Sequence, residues 1–164
     1  MTTKTPVTPT FKWLKEDYFC MTAFGFGAGL APFAPGTFGT LPALVIAYVL
    51  FSLGMSPLAL SILCWPLFLI GIYICQHAED KVGVSDYGGI VWDEIVAMLL
   101  ILCTVPFSFG WWLLAFILFR LFDALKPWPI SHFNDKVHGG FGIMLDDILA
   151  AIPCIVILGV LQWF

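Results

Sequence analysis

The stretch GIMLDDILAAIPCIVILGVLQWF (142–164) decides how this chain is read. Two adjacent aspartates, Asp146 and Asp147, open a run that is otherwise apolar almost to its end. A spanning helix needs about 20 apolar residues, and roughly 17 suffice. Neither helix formation nor lipid solubility asks for a carboxylate there, and ionisable groups at such depth mark a site by default. Working outward, four more carboxylates sit inside or against apolar stretches: Asp86, Asp93, Glu94 and Asp123.

Composition agrees with a membrane chain. It is 60% hydrophobic and 11% charged, with a mean hydropathy of +0.97, outside the range of soluble domains. Between Asp17 and Glu79 there is no Asp, Glu, Lys or Arg. A soluble domain of this size would still have to wet its surface. The expectation is an all-α, polytopic helical bundle forming one membrane-embedded domain over residues 18–164, preceded by a flexible polar arm, 1–17. The arm carries Thr and Pro runs and offers no signal-peptide core. Cys20, Cys64, Cys75, Cys103 and Cys154 form no CxxC pair and read as small buried hydrophobes. Nothing basic or repetitive suggests a nucleic-acid partner, and the sequence does not fix an oligomeric state.

About five membrane helices are expected, at 38–54, 58–77, 90–106, 111–125 and 143–163. The connections at 54–57 and 106–110 are short and uncharged, whereas those at 78–89 and 126–141 hold Lys81, Lys126 and Lys136. The positive-inside rule puts the lysine-bearing face in the cytoplasm. Every carboxylate named above then gathers at that end. One stretch, FGFGAGLAPFAPGTFGT (24–40), has five Gly and two Pro. That is poor helix composition, and the expectation is a partly re-entrant or interfacial loop leading into a helix near Thr40.

Three clusters carry chemistry. In IVWDE (90–94), Asp93 and Glu94 lie near a helix start. A helix N-terminus favours negative charge by about 0.3–1 kcal/mol, too little to explain two carboxylates in an apolar helix. In RLFDALKPWPI (120–130), Arg120 and Asp123 are three apart and can pair on one face. Lys126 stands just before the helix-ending Pro127, and Trp128 reads as an interfacial anchor. In HGGFGIMLDD (138–147), His138 and two glycines lead into Asp146 and Asp147. A fourth, weaker signal is APGTFGT (34–40). Gly36 and Gly39 are flexible, Thr37 and Thr40 bring hydroxyls, and the loop can present amides to a phosphate. Thr40 can equally cap the helix.

From Glu79 to Asp147 there are nine acidic residues against Lys81, Arg120, Lys126 and Lys136. A phosphate ester would be repelled unless a cation intervened, and all-oxygen ligands select Mg²⁺ or Mn²⁺ over zinc. A single arginine excludes the multi-arginine lipid phosphatases, and no Cys-x5-Arg, DxDx[TV], GxSxG or DGxxAR motif occurs. The rival to metal-dependent phosphate chemistry is a small transporter or ion pathway built on intramembrane carboxylates.

Four blocks, GFGAGLAPFAPGTFGT (25–40), IVWDE (90–94), RLFDALKPWPI (120–130) and HGGFGIMLDD (138–147), resemble the signature blocks of the bacterial phosphatidylglycerophosphatase A family, in the family's order. Thr40 stands where the family more often has Ser, and Tyr87 where a His is common. The resemblance implies a Mg²⁺-dependent phosphatase of the bacterial inner membrane, converting phosphatidylglycerophosphate to phosphatidylglycerol on the cytoplasmic face. Asp93, Glu94, Asp123, Asp146 and Asp147 are then the expected metal ligands. Asp146 or Asp147 is the expected base, with His138 and Asp86 as further catalytic candidates. Lys126, Arg120, Gly36, Thr37, Gly39 and Thr40 are the expected phosphate-binding residues.

Overall fold

The five apolar stretches fold as five helices, preceded by two short ones. A computed structural model of the chain describes residues 6–127 and 137–163. The element order is α1 (Phe11–Lys15), α2 (Tyr18–Ala23), a 3-10 turn (Gly25–Leu30), α3 (Pro35–Ser52), α4 (Pro57–Val82), α5 (Trp92–Leu102), α6 (Phe109–Leu125) and α7 (Gly139–Leu161). No strand occurs among the described residues. Trp128 and Lys136 fall outside them.

The helices alternate in direction, so α3, α5 and α7 start at the end of the bundle where α4 and α6 finish. That end carries the carboxylates. Among the described residues, α3, α4 and α7 are long and apolar enough to cross a membrane; the expectation of about five spans is not confirmed. At 1.5 Å per residue, the 11 residues of α5 cover about half of a ~30 Å hydrocarbon core. The 17 residues of α6 lie at the lower limit. The reason lies in what α5 touches. It is apolar all round because protein surrounds it: from Asp93 to Leu102 every residue is buried except Leu100. A helix hydrophobic on every side is a core helix or a span, and α5 is the core, packed against α3, α4 and α7.

The Gly-rich stretch also differs from expectation. Its irregular part ends at Ala34, which takes a left-handed φ of 45° before Pro35 opens α3. Proline suits the first helical position because its missing N–H is not needed there. Thr40 therefore lies inside α3 and does not cap it; its hydroxyl donates to the Gly36 carbonyl at 2.8 Å. Upstream, Phe26 and Gly27 take positive φ values. The Val91 amide donates to the Ala23 carbonyl at 2.8 Å, fastening this region to the start of α5.

The polar N-terminal segment is packed against the bundle from Val7 onward. Leu14 of α1 is fully buried, and the Val7 amide donates to the Val82 carbonyl at the end of α4. All five cysteines are free, and four of them are buried.

Candidate active site at one end of the bundle

At the shared end of the helices lies a cavity of about 330 Å³. Among the described residues, six carboxyl groups line it: Asp86, Asp93, Glu94, Asp123, Asp146 and Asp147. Arg120 and Lys126 are the cations lining it. Each acid arrives by a separate structural cause. Asp93 and Glu94 occupy the first turn of α5, Asp123 the last turn of α6, and Asp146 and Asp147 the second and third turns of α7. The helix register does the rest, turning all five inward to at most 8% exposure. Asp86 is different: it is exposed on the α4–α5 loop, at a left-handed φ of 52°.

The cations hold part of this charge. Arg120 Nη1 donates to Glu94 Oε1 at 2.9 Å and to Asp123 Oδ2 at 2.6 Å. The expected local pair with Asp123 is thus extended across to α5. Lys126, at the C-cap of α6, pairs with Asp146 Oδ2. What remains is unusual for a protein interior. Asp93 Oδ1, Glu94 Oε2, Asp146 Oδ1 and Asp147 Oδ2 are buried without a hydrogen-bond partner among the described residues. Buried polar atoms are nearly always paired, and an unpaired buried carboxylate is costly. Oxygens of Asp123, Asp146 and Asp147 lie within 4.8 Å of one another. This all-oxygen, acidic donor set suits a hard divalent cation such as Mg²⁺.

The glycines of α3 explain how the helix approaches so closely. A Cβ on Gly36 would collide with Glu94 Oε1 and come within 2.8 Å of the Arg120 guanidinium. One on Gly39 would collide with Val91 and lie 2.8 Å from Glu94 Oε2. The two are three residues apart on one helix face, so their smallness seats α3 on Glu94. Gly36 lines the cavity, while Thr37, Gly39 and Thr40 do not. The Thr37 amide is also spent on the Ala34 carbonyl at 2.9 Å. Of the four expected phosphate-binding residues in this loop, Gly36 lines the cavity and Gly39 packs against Glu94, while Thr37 and Thr40 stand away from the cavity.

His138 is likewise set apart. It is the exposed N-cap residue of α7 and lines a neighbouring cavity together with Asp86. Glycines 139 and 140, which follow it, serve packing: the Gly140 amide donates to Gln76 Oε1 at 2.8 Å, locking α7 to α4. Glu79 and Ser85, which also line the neighbouring cavity, were not legible as site residues. The available signal was that Glu79 is the first charge after the long uncharged stretch.

Residues 21–162 match the family model described as Phosphatidylglycerophosphatase A. The chain belongs to the phosphatidylglycerophosphatase A family. A protein of Haemophilus influenzae named phosphatidylglycerophosphatase A is 45% identical over 147 residues, covering 88% of each chain. One of the same name from Escherichia coli is 41% identical over 133 residues, covering 80% of this chain and 76% of its own. A protein of Bacteroides thetaiotaomicron, provisionally named a phosphatidylinositol-3-phosphatase, is 36% identical over 149 residues, covering 85% of this chain and 90% of its own. No solved structure gives a significant match. All six carboxylates of the cavity fall inside the matched region of the family.

Proposed function

We propose that this protein is a phosphatidylglycerophosphatase, hydrolysing the phosphomonoester of phosphatidylglycerophosphate to phosphatidylglycerol and phosphate. The observation that carries the reading is the ring of buried, partly unpartnered carboxylates around one cavity, in a chain of that family. Six acids would repel a phosphate, so the site would be completed by Mg²⁺, which Asp123, Asp146 and Asp147 would hold together with Asp93 and Glu94. When bound, Mg²⁺ supplies charge neutralisation for the phosphate oxygens and acidifies an attacking water.

The chain's own groups then divide the work. Asp146 or Asp147 orients the water and takes its proton, each within reach of the same cavity. Lys126 and Arg120, already among the carboxylates, turn their free N–H groups to the phosphate. His138, in the neighbouring cavity beside Asp86, hands a proton to the departing alkoxide. The Gly36 backbone bounds the phosphate side, where a side chain would not fit. The acyl chains stay in the bilayer, because three long apolar helices hold the site at one end of a membrane bundle. The lysine distribution favours the cytoplasmic side of the bacterial inner membrane for that end. Clustering of the acids at one end, rather than along a path through the bundle, argues against a transporter.

The deciding experiment is phosphate release from phosphatidylglycerophosphate in mixed micelles, with Mg²⁺ and then with excess EDTA. Mg²⁺-dependent release that EDTA abolishes supports the reading. Absence of release from folded protein, or release indifferent to EDTA, contradicts the activity or its metal dependence respectively.

A further inference from the structure

A second cavity, of about 320 Å³, adjoins the first and shares Asp86 and Ile143 with it. Its wall includes Glu79, Ser85 and His138. Glu79 is 9% exposed and stands in the last turn of α4, where the helix dipole disfavours an acid. Its Oε1 accepts from Ser85 Oγ at 2.6 Å and from the Asp86 amide at 3.3 Å. Its Oε2 is buried without a partner among the described residues. A lost hydrogen bond at a buried carboxylate is expensive, so this oxygen is suited to a donor brought by a ligand. Among the described residues, Glu79 is not part of a group of three acidic, His or Cys side chains close enough to share an ion. An O–H or N–H donor from a ligand would satisfy this oxygen.

The headgroup proposed for the first cavity supplies such a donor. In phosphatidylglycerophosphate the carbon next to the phosphomonoester carbon bears a free hydroxyl. A glycerol extending from the carboxylate cavity past Asp86 enters the second one. We infer that the second cavity is a glycerol subsite in which Glu79 accepts a hydrogen bond from that hydroxyl. The inference rests on the phosphatase reading and adds to it a specificity-determining residue. Ser85 and the Asp86 amide hold the carboxylate in place, and Asp86 links the two cavities. Phosphatidic acid, which has no headgroup glycerol, leaves the Glu79 oxygen unpaired and is disfavoured for that reason.

The test compares kcat/KM for phosphatidylglycerophosphate and for an analogue with propane-1,3-diol in place of the headgroup glycerol. The wild-type protein is expected to prefer the natural headgroup by about 10- to 100-fold, the range for a hydrogen bond to a charged group. Glu79→Gln keeps a carbonyl oxygen for Ser85 and the Asp86 amide but removes the charge. Its preference is expected to fall about three- to tenfold, because a charge-assisted bond is roughly twice as strong as a neutral one. The deoxy analogue should be hydrolysed by both proteins at similar rates. A wild-type ratio near one overturns the subsite and leaves the phosphatase standing, and this measurement needs no variant to fold. An unchanged ratio in folded Glu79→Gln also overturns it, as does an equal loss on both substrates, which marks a purely structural Glu79. Failure to release phosphate from either substrate removes the phosphatase reading itself.

Discussion

Two groups of side chains in the described structure bring potential ligand atoms within 4.8 Å of one another: Asp17 with Cys20 and His77, and Asp123 with Asp146 and Asp147. They look alike as lists of residues and differ in how their atoms are used. Asp17 Oδ1 caps α2, accepting from the Phe19 and Cys20 amides at 2.9 and 3.2 Å. Its Oδ2 meets His77 Nε2 at 2.8 Å and Lys81 Nζ at 3.3 Å. Burial opposes its ionisation, yet His77, the Cys20 amide and Lys81 outweigh it and hold the carboxyl down at about 2. Burial, with the Asp17 charge nearby, pushes the Cys20 thiol up to about 11, leaving it protonated and a poor ligand. In the second group, Asp146 and Asp147 each keep a buried oxygen with no partner among the described residues. Proximity alone does not make a metal site. A satisfied carboxylate fastens the fold, and an unsatisfied one waits for a ligand.

The difference can be broken most directly at Asp147. Asp147→Asn is expected to lower phosphate release on the order of 10²- to 10⁴-fold. Its melting temperature in detergent should hold or rise, because an unpaired buried charge has been removed. A protein that no longer folds would move Asp147 into the same class as Asp17. Lys126→Ala comes next. It frees Asp146 and takes a cation from the phosphate, and a loss of about 10- to 100-fold in kcat/KM, mostly through KM, is expected from steady-state kinetics.

Gly36→Ala sharpens the comparison from the packing side. The added methyl overlaps the Glu94 carboxylate, so α3 must shift, at a cost of about 1–3 kcal/mol by denaturation, with activity falling as the Arg120–Glu94 pair is disturbed. Unchanged stability would show that the approach of α3 to Glu94 is looser than described. The smallest effect is expected at the other cluster. Asp17→Ala removes a helix cap, worth about 0.5–2 kcal/mol, and leaves the rate per folded molecule unchanged. The pH dependence has a fixed sign, since the folded-state pKa is lowered. Wild-type stability over Asp17→Ala is full above the unfolded value of about 3.9 and is lost as pH falls from there through about 2. An advantage that grows on acidification would contradict the partner set assigned to Asp17.

Much of this was legible in the sequence because hydropathy and helix register are local properties. Each expected apolar segment holds a helix, and the acids do meet at one end. The differences from expectation have a common cause: sequence reports that a side chain avoids water without saying what replaces it. The residues of α5 avoid water among other helices, and hydropathy alone does not distinguish such a core helix from a span. Gly36 and Gly39 were read as a phosphate loop; their spacing also lets two elements touch, which sequence alone did not show. Thr40 was offered to the substrate while its hydroxyl turns back to Gly36. Asp17, Glu79 and Ser85 gave no motif, because their meaning depends on hydrogen bonds between α2, α4 and the α4–α5 loop. The unpartnered oxygens of Asp93 and Asp147 could be counted only once every neighbouring donor was placed.

The central claim is tested most directly by titrating detergent-purified wild-type protein, Asp17→Ala and Asp147→Asn with Mn²⁺ and reading bound metal by electron paramagnetic resonance. The account predicts that wild type and Asp17→Ala bind the ion alike and that folded Asp147→Asn loses it. Binding that survives in Asp147→Asn and disappears in Asp17→Ala would contradict it, placing the ion at the cluster assigned here to structure alone.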